Sequence, residues 1–267
     1  MTGNIKCACT NFYEQDAVKF LLGESFHPGG VDLTAKLGQL LGLHPADKVL
    51  DVASGQGTSA IFLAQTVGCT ITGIDLSLEN IKVGQQKAAE NNLVNVFFRP
   101  GDAEKLPAAN QEFSVVVSEC AFCTFPDKQT AAEEMFRVLK PGGKVGITDM
   151  IVDQDSLPEA MKTLLYQAAC IADAHTAEEY LNILGAVGFQ NLQFYDHSYT
   201  LTEMINNVRK RLLMAELAVG LKKLDLGELD FAAVKKMLAE AEGLVKKGII
   251  GYVIITGEKE GLSYGQK

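Results

Sequence analysis

Glycines and acidic residues follow the ends of several predicted strands, where the backbone could approach a ligand. Residues 49–57 read Val-Leu-Asp-Val-Ala-Ser-Gly-Gln-Gly, so Gly55 and Gly57 come directly after an apolar strand. Glycine has no Cβ, which lets the backbone pass close to a bound molecule. Ligands of open α/β sheets bind in the crevice outside the carboxyl ends of the strands. The turn after this strand is therefore a predicted binding site.

Two cofactors fit such a turn. Residues 55–60 match the G-x-G-x-x-A fingerprint of NAD sites, and Asp75 lies at about the expected distance from it. Three further features favour S-adenosylmethionine. Asp51 precedes the first glycine and can hold the amino acid end of that cofactor. The run 101–107 (GDAEKLP) has no role in the NAD fingerprint, and residues 139–144 read LKPGGK before the fifth strand.

Together these features resemble the class I methyltransferase family. The resemblance implies that S-adenosylmethionine is the cofactor, that Asp75 binds its ribose, and that Asp102 binds its adenine. It also implies that Leu76 and Ala103 flank the adenine. The family motif has a glycine where this chain has Ala53. We expect this small residue to be tolerated beside the cofactor.

The six cysteines have different surroundings: Cys7, Cys9, Cys69, Cys120, Cys123 and Cys170. Cys69 precedes the second strand, far from the strand ends, and is interpreted as a small buried hydrophobe. Cys120 lies at the carboxyl end of the fourth strand, where class I methyltransferases place groups that face the transferred methyl. Cys170 lies in the helical pattern 158–174 but outside its apolar stripe, which favours a chemical role.

The sequence around two of these thiols resembles the arsenite methyltransferase family. Ser118-Glu119-Cys120 and the Cys-Ile-x-x-Ala stretch from Cys170 carry the resemblance. Trivalent arsenic is thiophilic, as soft metal ions are. The resemblance implies that Cys120 and Cys170 are the catalytic residues that bind As(III). One of three further cysteines is the expected third ligand: Cys7, Cys9 or Cys123.

Two alternatives stay open. A methyltransferase acting on a small organic acceptor (N, O or C) would need a base, for which Glu119, His175 and His197 are candidates. A cofactor-binding regulator would instead use four cysteines as a zinc site: Cys7, Cys9, Cys120 and Cys123.

Apolar runs of strand length alternate with helical patterns from residue 48 onward, which predicts an α/β fold. We predict a seven-stranded, mostly parallel Rossmann-like sheet with helices on both faces. The expected strands are residues 48–53, 70–75, 96–99, 113–119, 145–149, 192–195 and 249–256. Pro141–Gly143 is the expected turn before the fifth strand. A helical insertion at about 202–247 precedes the last strand, all within one methyltransferase domain, residues 47–267.

Residues 1–46 are predicted to form an N-terminal helical lid, with Tyr13 close to the cationic sulfonium. The 267 residues carry a net charge of -9, which disfavours a nucleic-acid interface. No apolar run reaches the ~18 residues of a membrane span, and Met1–Lys6 lacks the features of a signal peptide. We therefore expect a cytoplasmic enzyme with a small-molecule substrate, such as arsenite with a thiol reductant. The oligomeric state stays open.

Overall fold

Seven strands form one sheet in the computed structural model, which describes residues 27–158, 173–221 and 230–261. The strands are β1 (Lys48–Val52), β2 (Thr70–Asp75), β3 (Val96–Pro100), β4 (Phe113–Glu119), β5 (Leu139–Val152), β6 (Phe189–Asp196) and β7 (Ile250–Lys259). Their order across the sheet is β3-β2-β1-β4-β5-β7-β6. The pairs from β3 to β5 are parallel, and β7 is antiparallel to both of its neighbours. The predicted seven-stranded, mostly parallel sheet is confirmed.

Helices cover the sheet: α1 (Gly30–Leu41), α2 (Thr58–Val67), α3 (Leu78–Glu90), α4 (Lys128–Val138), α5 (Ala177–Val187), α6 (Tyr199–Gly220) and α7 (Phe231–Lys246). Side-chain oxygens fix several of their starts, because the first backbone N–H groups of a helix have no partner within it. Ser77, Asp127 and Asp230 accept such bonds at α3, α4 and α7. Thr176 and Glu179 form a reciprocal capping box at α5.

The central strands are buried on both faces. Val49, Leu50 and Val52 of β1 are inaccessible to solvent, and Asp51 between them is buried as well. Successive side chains of a strand point to opposite faces, so consecutive burial means that both faces are covered. Helix α1 packs on α2, and α4 packs on α5. The site described below therefore rests on a rigid, fully packed centre.

Helix α1 is part of this core. Its Leu33, Leu37 and Leu41 are buried, and a Cβ added to Gly146 of β5 would lie 2.7 Å from Leu37 Cδ1. Residues 1–26 of the predicted lid, including Tyr13, lie outside the described residues. The proposed division between residues 1–46 and 47–267 stays a prediction.

One region differs in detail from the predicted elements. Strand β5 begins at Leu139, so Pro141–Gly143 lies within it and not in a separate turn. There the pairing with β4 is irregular, and Gly142 has a φ of 75°. The helical insertion before β7 is confirmed as α6 and α7, which share a small core of Ile205, Val208, Leu212 and Leu238. Most of the predicted helix 158–174 lies outside the described residues. No helix that the structure describes is long and apolar enough to cross a membrane.

Candidate active site

The turn after β1 is built on two glycines with different surroundings. Gly55 and Gly57 have φ angles of 52° and 78°, in the left-handed region that favours glycine. A Cβ on Gly57 would lie 2.2 Å from Phe98 Cζ, whereas a Cβ on Gly55 would meet no atom within 4 Å. The absence of a Cβ at Gly57 thus leaves space for the core side chain of Phe98. Gly55 leaves open space beside the backbone, as a bound cofactor requires.

Asp75 ties this turn to the end of β2. Its Oδ2 accepts a hydrogen bond from the Gly55 N–H at 2.8 Å, and its Oδ1 accepts one from the Ser77 N–H at 2.8 Å. Asn80 Nδ2 also donates to Oδ1, at 3.3 Å. Asp75 therefore holds the turn in shape at the position predicted for the ribose. Leu76 beside it is 53% exposed, so its side chain is available for contact with a ligand.

Asp51 is a buried carboxyl group beneath the turn. It is only 2% exposed, and its Oδ2 has no hydrogen-bond partner in the described part of the chain. Burial raises the pKa of Asp51 well above its ordinary value, and the charges of Glu119 and Asp75 raise it further. An orphaned acceptor among carboxylates suits a cationic ligand group. Together with the open space at Gly55, it fits the ammonium end of S-adenosylmethionine.

Asp102 and Ala103 follow β3 at the same edge of the sheet. The Asp102 Oδ1 accepts from the Glu104 N–H at 3.0 Å, and its carbonyl accepts from the Lys105 N–H at 3.0 Å. Ala103 is buried. Asp102 thus shapes its own turn, and its predicted contact with adenine stays a prediction.

Ala53 and Cys120 adopt the same unusual backbone conformation at neighbouring strand ends. Their φ angles are 60° and 53°, where a residue with a Cβ is strained by about 1–3 kcal/mol. Ala53 occupies the position at which the methyltransferase motif has glycine. The Cys120 N–H donates to the Thr148 carbonyl of β5 at 2.7 Å, which fixes the backbone of this half-buried residue at the end of β4.

The other described cysteines are in the core. Cys69 is fully buried and burial raises its thiol pKa to about 11, as expected of a packing residue. Cys123 is also fully buried, in a short 3-10 helix, and its N–H donates to Asp149 Oδ2 at 2.8 Å. This burial favours a packing role for Cys123, and its role as a third arsenic ligand stays a prediction.

Three predicted ligands lie outside the described residues, namely Cys7, Cys9 and Cys170. Across residues 27–158, 173–221 and 230–261, no group of three or more His, Cys, Asp or Glu side chains is arranged to hold a metal ion. The zinc alternative requires Cys7 and Cys9, so it is not tested by the described part of the chain.

Glu119 is surrounded by buried hydroxyl groups, which the sequence did not predict. Thr34 Oγ1 lies 3.0 Å from Glu119 Oε1, and Thr148 Oγ1 lies 3.4 Å from Oε2. Ser59 Oγ is 3.3 Å from the Thr34 hydroxyl, and the Tyr252 hydroxyl is 3.2 Å from that of Thr148. The sequence feature that could have indicated this arrangement is Thr34, a polar residue on the same buried face of α1 as Leu33 and Leu37.

The two histidines considered as bases lie at the starts of helices. His175 Nδ1 is 3.5 Å from Glu179 Oε2, next to the capping box of α5. His197 follows β6, and burial together with the charge of Lys36 lowers its pKa. A lowered pKa keeps His197 neutral near pH 7, as a base requires.

Comparisons with known proteins agree with this geometry. The profile of a methyltransferase domain family matches residues 43–188. An arsenite methyltransferase of Halobacterium salinarum is 32% identical over 161 residues, which are 56% of this chain and 39% of that protein. A demethylmenaquinone methyltransferase of Chlorobaculum parvum is 30% identical over 172 residues, which are 57% of this chain and 69% of that protein.

Among solved structures, the phosphoethanolamine N-methyltransferase 2 of Haemonchus contortus superposes with a TM-score of 0.80 at 20% identity. The superposition covers 96% of this chain and 60% of that protein, and at this identity it supports the fold alone. This chain spans well under half the length of the halobacterial relative. The family match, by contrast, covers more than half of the 267 residues. The chain therefore belongs to the class I methyltransferase family, with S-adenosylmethionine as its cofactor.

Proposed function

We propose that this methyltransferase transfers a methyl group to trivalent arsenic held by the thiolates of Cys120 and Cys170. The observation that carries the proposal is the position of Cys120. This half-buried residue lies at the end of β4, with its backbone in a strained conformation, beside the strand that carries the glycine turn. The halobacterial arsenite methyltransferase among the relatives supports the same substrate.

In this proposal the protein acts by positioning its substrate. Bound S-adenosylmethionine supplies an electrophilic methyl group on a sulfonium sulfur. Cys120 and Cys170 would hold arsenic with its lone pair toward that methyl, and catalysis would come from this positioning and from removal of water. No general base is needed, because the attacking arsenic carries no proton. The expected third thiolate comes from Cys7, Cys9 or Cys123, and Tyr13 is expected at the sulfonium.

The reaction requires reduced thiols, which a cytoplasmic location and a thiol reductant maintain. A second candidate function is methylation of a small organic acceptor. It is favoured by the demethylmenaquinone methyltransferase among the relatives and by the carboxylate of Glu119 beside Cys120. In that case Glu119, His175 or His197 is the base, and the cysteines are incidental.

Turnover of the full chain with arsenite, a thiol reductant and methyl-labelled cofactor tests the proposal. Cys120→Ser and Cys170→Ser should each abolish arsenic methylation and retain S-adenosylhomocysteine binding, because oxygen is a poor ligand for a soft centre. Cys69→Ser is the matched control and should retain both arsenic methylation and S-adenosylhomocysteine binding. Full turnover by either site variant would contradict the arsenic site and favour the organic acceptor.

A further inference from the structure

The hydroxyl groups around Glu119 can all be oriented toward its carboxylate. Each hydroxyl has a single proton to donate. If the Thr34 hydroxyl donates its proton to Glu119, the donor of the hydrogen bond between Thr34 and Ser59 must be Ser59. If Thr148 donates to Glu119, the Thr148–Tyr252 contact must likewise be donated by Tyr252. Two donor chains thus converge on one carboxylate, as expected around a fixed negative charge.

The residues that surround the Glu119 carboxylate are buried and come from different elements. Thr34, Thr148 and Tyr252 are almost completely buried, and they come from α1, β5 and β7. Glu119 and Thr148 are direct partners in the pairing of β4 with β5. Three separate elements therefore contribute to holding one side chain.

Glu119 is the last residue of β4, and β4 pairs with β1, the strand that leads into the glycine turn. Its charge is one cause of the raised pKa of Asp51 in β1. Cys120, the proposed acceptor ligand, follows Glu119 directly in the chain. The carboxylate of Glu119 therefore belongs to the same edge of the sheet as the glycine turn and Cys120.

Methyl transfer moves charge across this region. The methyl carbon leaves sulfur, which keeps the bonding electron pair, and the acceptor lone pair forms the new bond to carbon. An uncharged acceptor atom becomes cationic in this step, whereas an anionic acceptor becomes neutral. A fixed carboxylate beside the acceptor stabilises the developing cation and repels an anionic acceptor.

We propose that Glu119 is a specificity-determining residue that selects uncharged acceptors over anionic ones, with Thr34 and Thr148 as positioning residues for its carboxylate. The inference rests on the methyl transfer in the proposed function, but it does not require arsenic to be the acceptor. An arsenic atom bound by three thiolates, with no net charge, belongs to the favoured class. Phenolates and carboxylates belong to the disfavoured class.

Binding of two cofactor analogues to the full chain tests the charge directly, by calorimetry. Sinefungin carries an amine where the transferred methyl lies, and S-adenosylhomocysteine has no charge there. Glu119→Gln should weaken sinefungin about tenfold, a loss typical of one hydrogen bond to a charged group, and change S-adenosylhomocysteine less than about twofold. Ser118→Ala is the matched control, because Ser118 is buried next to Glu119 but donates to the Val52 carbonyl.

The positioning role has its own pair of variants. Thr34→Val removes the hydroxyl and should weaken sinefungin selectively, whereas Thr34→Ser retains the hydroxyl and should restore the wild-type affinity ratio. If Glu119→Gln does not fold, this pair decides the question. An unchanged ratio of the two affinities in folded Glu119→Gln or Thr34→Val would overturn the inference. A changed ratio without arsenite turnover would support Glu119 and reject arsenic as the acceptor.

Discussion

Replacing Gly55 and Gly57 separately with alanine should separate ligand binding from folding. An alanine in the left-handed region costs about 1–2 kcal/mol, and the stiffer unfolded chain offsets about 0.4–1 kcal/mol of that. Gly55→Ala should therefore lose about 1 kcal/mol of stability, because its Cβ enters open space. We expect the cofactor to occupy that space, so the affinity of Gly55→Ala for S-adenosylhomocysteine should fall.

Gly57→Ala meets a further obstacle. Its Cβ would lie 2.2 Å from Phe98 Cζ, and the Phe98 ring also fills the space above Gly73 and Gly84. The ring has little room to move, so overpacking should add about 1–3 kcal/mol, for a total of about 2–4 kcal/mol. Each kcal/mol lowers the melting temperature by about 2–4 °C.

Thermal unfolding and calorimetry with S-adenosylhomocysteine measure both effects. The double variant Gly57→Ala/Phe98→Leu should be less destabilised than the sum of its single variants, because leucine frees the space that the new Cβ needs. Equal melting temperatures for the two alanine variants, or strict additivity in the double variant, would refute the assignment of Gly57 to packing.

Three other changes have defined outcomes. Asp75→Ala should weaken S-adenosylhomocysteine by about 1–3 kcal/mol in calorimetry, because it leaves the Gly55 N–H unpaired; unchanged affinity would place the nucleotide elsewhere. The raised pKa of Asp51 means that the folded protein keeps a proton that the unfolded chain releases above about pH 4, so stability falls as pH rises. The free energy of unfolding of Asp51→Asn, measured with urea, should not fall in this way as pH rises. Parallel curves of unfolding free energy against pH for the wild type and Asp51→Asn would contradict this expectation. Lys128→Met should lower the free energy of unfolding, measured with urea, by about 1–3 kcal/mol, because the buried Lys128 Nζ pairs with Asp173 and donates to the Phe125 carbonyl. Asp173→Asn should lower it less, because Asp173 is half-exposed.

The sequence was sufficient for features that depend on local pattern. Strand β1 could be predicted from its apolar run, and its carboxyl end fixed the place of Gly55. Asp75 could be placed because parallel strands end at one edge of a sheet. Its bond to the Gly55 N–H could not be predicted, because that bond depends on how two turns meet in space.

Tertiary structure determines the rest. Thr34 and Glu119 are 85 residues apart in the chain, and no local pattern joins them. The left-handed conformation of Cys120 is equally invisible in the sequence, because a residue with a Cβ adopts it only when its neighbours impose it. The space around the Phe98 ring shows the same limit, because it is bordered by Gly73 of β2, Gly84 of α3 and Gly57 of the turn before α2.

The place of β7 in the sheet has a consequence for biosynthesis. It follows every other described strand in the chain, yet it lies between β5 and β6. While the ribosome is still making residues 250–259, the facing edges of β5 and β6 have no partner, and exposed strand edges promote association between chains. The nascent protein therefore exposes two unpaired strand edges until β7 inserts between β5 and β6.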